Sequence, residues 1–96
     1  MNVIIINSTR NKIHGAAGNY LWRIHNNIYL GTIGKNAFFG IFDYIKEEIE
    51  KEGSAIFIKS DNSIKGFNVS YINEHNLSRT SHFFENFLAF LKKIDF

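Results

Sequence analysis

The sequence contains no cysteine and no proline in its 96 residues. Without cysteine the chain can form no disulfide, no zinc–thiolate site and no cysteine nucleophile. Without proline it contains no proline-rich linker, and it shows no internal repeat or low-complexity stretch. The apolar run Val3–Ile6 is far shorter than the hydrophobic region of a signal peptide or a membrane span. We therefore expect a cytoplasmic protein with no membrane partner.

Acidic residues are missing from the first part of the chain, where the first one is Asp43. The four Lys and Arg residues before it are Arg10, Lys12, Arg23 and Lys35. Residues 43–96 hold the remaining seven bases and all nine acids, so the two parts carry +4 and −2 and sum to the net +2. A segment without Asp or Glu cannot supply a carboxylate base or a carboxylate metal ligand. Any catalytic carboxylate must therefore come from beyond residue 42.

Length and composition indicate one domain over residues 1–96, with 45% hydrophobic and 16% aromatic residues. Hydrophobic spacing predicts a central strand buried on both faces at 3–6, a helix at 13–25 and a strand at 28–31. It also predicts a helix at 37–52, capped by Asn36 and stopped by a left-handed Gly53, followed by a hairpin of strands at 54–59 and 67–72. The tail is ambiguous, because Phe83–Leu91 has helical spacing while 86–91 is short and aromatic enough for a strand. The pattern predicts a sandwich with its helices on one face of a sheet.

The loop before the first predicted helix is the strongest candidate site. Arg10, Lys12 and His14 alternate, so in an extended segment they project to one side and end at a helix start that favours anions. This arrangement suits a run of phosphates, although a merely solvated loop explains it equally well. The other candidates have simpler interpretations: the histidines as surface or packing residues, and Glu47–Glu52 as a solvated helix end. Ser8, Thr9 and Ser81 lack the glycine-flanked turn of a serine nucleophile.

Four segments resemble motifs of one known family: Ile13–Gly15, Tyr20–Ile24, Asn27–Gly31 and Gly66–Val69. Together they resemble the Cas two proteins of type I-E CRISPR systems, the small partners of the Cas one integrase in spacer acquisition. The resemblance covers about residues 3–91 and rests on the joint spacing of the motifs.

This resemblance implies an α+β ferredoxin-like sandwich, an antiparallel sheet with two helices on one face. It also implies a homodimer whose C-terminal strand, near 86–91, pairs with the partner's sheet. The implied function is a non-catalytic adaptor that bridges Cas one dimers and holds double-stranded prespacer DNA by its phosphates. The DNA-contacting positions of the family, with nearby cations, fall on Arg10, Lys12, His14, His75, Asn76 and Arg79.

The alternative that the family suggests is a Mg²⁺-dependent endonuclease acting at the dimer interface. Many relatives carry an acid at the end of the first strand, where this chain has Asn7 followed by Ser8. An amide is a poor substitute for a charged oxygen ligand of Mg²⁺, so we expect no metal cofactor outside this alternative. The nuclease would need a carboxylate from Asp43, Asp61 or Glu74. An interaction module without any nucleic-acid role is the third possibility.

Overall fold

The computed structural model describes residues 1–60 and 66–79. Its elements are β1 (Asn2–Asn7), α1 (Asn11–Gly18), β2 (Trp22–His25), β3 (Ile28–Gly31), α2 (Lys35–Glu48), β4 (Ser54–Ser60), β5 (Phe67–Ile72) and a 3-10 helix (Glu74–Arg79). The strands form one antiparallel sheet in the order β2-β3-β1-β4-β5. Neither described helix is long and apolar enough to cross a bilayer.

Strand β1 occupies the centre of the sheet and is buried on both faces, as its β-branched sequence predicts. Ile4 and Ile6 lie in the cluster that also contains the buried residues of both helices. Val3 and Ile5 lie in a second cluster, with apolar residues of β3 and β4. Since successive strand residues point to opposite faces, both helices pack on one face of the sheet.

The residues that the two helices bury in the core are all apolar. Helix α1 buries Ile13 and Ala17, and α2 buries a stripe that includes Ile41 and Ile45. Phe57 on β4 lies beneath them and is 0% exposed. This α+β arrangement of two helices on a five-stranded antiparallel sheet is compatible with the predicted ferredoxin-like fold.

The prediction of one long helix over 13–25 is wrong in its second half. The helix ends at Gly18, and Trp22–His25 forms β2, which pairs with β3 through a hairpin at Asn26 and Asn27. Two strands therefore lie between the helices, where the hydrophobic spacing predicts one. Ile24 satisfies both a helical period and a strand alternation, so the short segment does not distinguish the two by itself.

The second helix runs from Lys35 to Glu48, two residues earlier at its start than predicted and four earlier at its end. Its N-cap is Gly34, so the prediction that Asn36 caps it is wrong. Gly53 is not in the left-handed region, since the described residues with positive φ are Gly66 and Asn73. The tail, including the predicted exchanged strand at 86–91, lies outside the described residues, and the dimer stays a prediction.

Candidate nucleic-acid interface

The sheet register brings the two predicted DNA-contacting segments to the same end of the molecule. Asn7 at the end of β1 pairs with Ser54 at the start of β4, and Ala55 pairs with Ile72 at the end of β5. The loop after β1 leads into α1, and the 3-10 helix follows β5 directly. Residues 7–14 and 74–79 therefore both begin at this end of the sheet.

The connection between α2 and β4 joins these two segments. Asn76 donates its side-chain amide to the carbonyl oxygens of Lys51 and Gly53, each at 2.9 Å. Asn73, which adopts a positive φ, donates to the same Gly53 carbonyl at 3.1 Å. Asn76, predicted to contact DNA, thus holds the 3-10 helix against this loop.

Arg10 lies at the N-cap of α1 and contacts the end of α2. Its Nη1 donates to the backbone carbonyl of Glu48 at 2.8 Å, and its Nε lies 3.6 Å from Oε2 of Glu50. The last carbonyl groups of a helix have no partner within the helix and carry partial negative charge. Arg10 therefore satisfies one of these carbonyls and compensates the unfavourable position of the acids at this helix end.

Lys12 forms the second ion pair between α1 and the end of α2, with the side chain of Glu48. We call the region where the start of α1 meets the end of α2 and the loop after it the junction. The hydrogen bond from Lys12, together with its charge, lowers the pKa of the Glu48 carboxyl below its ordinary value. Arg10 adds a smaller contribution of the same sign. The two cations predicted to bind phosphate thus face two acids within the protein.

Glu50 is the more buried of these acids, with 16% of its side chain exposed compared with 34% for Glu48. Both of its carboxylate oxygens are buried and accept no hydrogen bond within the described part of the chain. A buried carboxylate without hydrogen bonds is unfavourable unless an opposite charge lies close to it. The guanidinium of Arg10 is that charge.

His14 lies within α1, so the extended alternation predicted for residues 10, 12 and 14 does not occur. Its Nε2 lies 2.8 Å from the carbonyl oxygen of Ser8, and its Nδ1 lies 2.6 Å from the Tyr29 hydroxyl. Because a carbonyl only accepts, Nε2 carries a proton, and in the neutral ring Nδ1 accepts from Tyr29. Both ring nitrogens are therefore engaged in positioning the loop, and direct contact with DNA stays a prediction.

The acids beside the loop after β1, in the part of the chain that the structure describes, are held in ion pairs. Asn7 is exposed, and no group of three His, Asp or Glu residues able to hold a metal occurs among residues 1–60 and 66–79. The nearby carboxylates, Glu48 and Glu50, are paired with cations. Asp43 and Glu74 are exposed, and Asp61 lies outside the described residues.

Three residues of this junction were not among the predicted site residues: Glu48, Glu50 and Lys51. The available signal was the acidic C-terminal end of α2, which the helix dipole disfavours unless cations lie beside it. Lys51 is exposed and forms no ion pair with the described residues. His75 is also exposed, and the 3-10 helix ends at Arg79.

The ion pairs leave hydrogen-bond donors of both cations accessible. The side chains of Arg10 and Lys12 are 46% and 51% exposed. A guanidinium carries five N–H donors and an ammonium three, so each retains donors beyond those used on α2. Chemically, the junction can bind phosphate oxygens, with Lys51 as a further cation beside it.

Comparison with known protein families finds a match over most of this chain. The model of a family described as "CRISPR-associated protein (Cas_Cas2CT1978)" matches residues 1–81. No curated protein matches the chain.

Proposed function

The chain belongs to this family of CRISPR-associated proteins, as its resemblance to the Cas two family predicts, and from this membership we propose that it is a non-catalytic DNA-binding adaptor. A homodimer of it would bridge Cas one integrase dimers during spacer acquisition. Each subunit would hold the backbone of a prespacer duplex through phosphate contacts, which position DNA without reading its sequence. A two-fold dimer would double the number of these contacts.

The observation that carries this proposal is the meeting of residues 7–14 and 74–79 at one end of the sheet. Arg10 and Lys12 are exposed by about half there, and Lys51 lies on the loop that joins the two segments. Cations on one surface suit the regularly spaced charges of a duplex. His14 and Asn76 support this surface through hydrogen bonds to the loops that carry the cations.

The endonuclease is the less favoured function. It requires a carboxylate that can hold Mg²⁺ close to Asn7. In the described part of the chain the acids nearest to the loop after β1 are held by Arg10 and Lys12. The adaptor requires no such group.

The first test is the salt dependence of duplex binding by wild type and Lys12→Ala. Each phosphate neutralised by a cation contributes about 0.9 to the slope of log affinity against log salt. Lys12→Ala should weaken binding at low salt and make the slope shallower by about 0.9 per subunit in contact. Lys59→Ala removes the same charge from the opposite end of the sheet, where Lys59 pairs with Asn2, and should leave the slope unchanged.

The second test adds the Cas one integrase and a splayed duplex, and measures complex mass and strand transfer. We expect a complex containing two copies of this chain, with strand transfer that Asn7→Ala leaves intact. If Lys12→Ala and wild type had the same salt slope, the assignment of Lys12 would be wrong. Mg²⁺-dependent cleavage of nucleic acid by the chain alone, abolished by Asp61→Asn or Glu74→Gln, would establish the nuclease instead.

A further inference from the structure

The two cations proposed to contact DNA already have anionic partners within the protein. Lys12 pairs with Glu48, and Arg10 pairs with Glu50 while donating to the Glu48 carbonyl. The formal charge of these four side chains is zero. A DNA phosphate that approaches them must therefore share the cations with the carboxylates or displace them.

The two acids differ in how readily a phosphate can replace them. Glu50 has buried carboxylate oxygens that accept no hydrogen bond in the described structure, so withdrawal of Arg10 would leave a buried charge uncompensated. Glu48 is more exposed, and water can solvate its carboxylate when Lys12 leaves it. Glu50 therefore fixes Arg10 in place, whereas Glu48 is an exchangeable partner of Lys12.

We propose that Glu48 is an internal competitor of the DNA backbone for Lys12, and that Glu50 is a positioning residue for Arg10. This inference rests on the proposed function, because it concerns the same phosphate contacts. In the free protein Glu48 holds Lys12 against the end of α2. In the complex a phosphate oxygen takes the place of the Glu48 carboxylate on Nζ, and Glu48 turns to water.

The expected effect follows from the worth of an exposed ion pair. The loss of such a pair changes an affinity by at most about fivefold. Glu48→Gln should therefore tighten duplex binding by about two- to fivefold at low salt. The salt slope should stay close to that of wild type, because in both complexes Lys12 neutralises the same phosphate.

Glu47→Gln is the matched control. Glu47 precedes Glu48 on α2, is exposed and forms no ion pair with the described residues. Its replacement changes the net charge by the same amount without releasing Lys12. A greater gain in affinity for Glu48→Gln than for Glu47→Gln, at a salt slope close to that of wild type, supports the competitor. Equal gains for the two variants would show that only the change in net charge matters, and the proposal would be overturned. Weaker binding by Glu48→Gln than by wild type would also overturn it.

A double-mutant cycle tests the same pair through binding and separately through stability. If Lys12 and Glu48 compete as proposed, Glu48→Gln should no longer tighten duplex binding once Lys12→Ala is present. If it still does, the inference is wrong, while the loss of affinity in Lys12→Ala alone would uphold the adaptor. If wild type and all variants failed to bind duplex at low salt, the adaptor itself would be refuted. Coupling of Lys12→Ala and Glu48→Gln in urea unfolding would then still show that the ion pair exists.

Discussion

Tyr29→Phe tests how the basic loop is anchored to the sheet. Tyr29 lies on β3 with its side chain 0% exposed, and its hydroxyl lies 2.6 Å from Nδ1 of His14. The other ring nitrogen of His14 contacts the carbonyl of Ser8. These two bonds connect β3 through α1 to the loop that precedes Arg10. Phenylalanine keeps the ring in the core and removes only the hydroxyl that holds His14.

The loss of stability expected for Tyr29→Phe follows from the loss of its hydrogen bond with His14 and from how well water can reach His14. A typical intramolecular hydrogen bond contributes about 1 kcal/mol net, and a buried partner left unsatisfied adds to the loss. His14 is only partly buried, so water can reach Nδ1 after the substitution and limit that addition. We expect destabilisation of about 1 kcal/mol, which lowers the Tm of a domain of this size by about 4–8 °C.

The same residue gives a pH dependence whose sign is fixed by its burial. Burial raises the pKa of the Tyr29 phenol above its ordinary value, and the charge of Arg23 opposes this in part. Above about pH 10 the unfolded chain therefore ionises Tyr29 before the folded chain does. The stability associated with neutral Tyr29 is complete below that pH and is lost as the pH rises through the raised pKa. Tyr29→Phe lacks this part of the alkaline loss.

Urea unfolding of wild type and variant at about pH 8 and about pH 11 measures both quantities. Tyr20→Phe is the control, because Tyr20 is 59% exposed, and among residues 1–60 and 66–79 its hydroxyl is not a partner of His14 or of the loop before Arg10. The difference in stability between wild type and Tyr29→Phe should shrink at the higher pH. Equal stability at the lower pH, or an alkaline loss that is the same in both proteins, would refute the anchoring role of the hydroxyl.

Two further predictions concern the end of α2. Gly53→Ala should destabilise the fold by about 1–3 kcal/mol, because its Cβ would meet Oε1 of Glu50 and lie 3.1 Å from the Asn7 carbonyl oxygen. Gly40 lies within α2 with no described atom within 4 Å of an added Cβ, so Gly40→Ala should stabilise the fold by about 0.5–1 kcal/mol. If the urea midpoints of Gly53→Ala and Gly40→Ala moved in the same direction, this pair of predictions would be wrong. The lowered pKa of Glu48 predicts a stability contribution that is complete above the ordinary glutamate pKa and is lost as the pH falls through the lowered value. Acid titration of stability should show a larger loss in wild type than in Lys12→Ala, because Lys12 is the main cause of the lowered pKa.

The strands were predictable where the sequence pattern fits a strand and not a helix. The β-branched run of β1 and the segments of β3, β4 and β5 agree with the predicted ranges to within a residue, because continuous or alternating apolar residues there match no helical face. Strand β2 was missed because its four residues are all exposed and form the outer edge of the sheet. The alternation of Trp22 and Ile24 with polar residues spans only four positions, and Ile24 also fits the helical period of the preceding segment. Its existence depends on pairing with β3, which is a tertiary interaction.

The charge of the candidate site, like strand β2, could be predicted from the sequence only in part, because it depends on tertiary contacts. The sequence shows that Arg10 and Lys12 lie in a segment free of acids, and the alternation of its cations suited a run of phosphates as well as it suited a solvated loop. The fold brings Glu48, 36 residues away in sequence, into contact with Lys12, and cancels that charge locally. The acids stay at the disfavoured end of α2 because the two cations compensate them there. In the proposed complex, the strength of DNA binding would depend on how easily a phosphate displaces Glu48 as well as on the number of basic residues that reach the backbone.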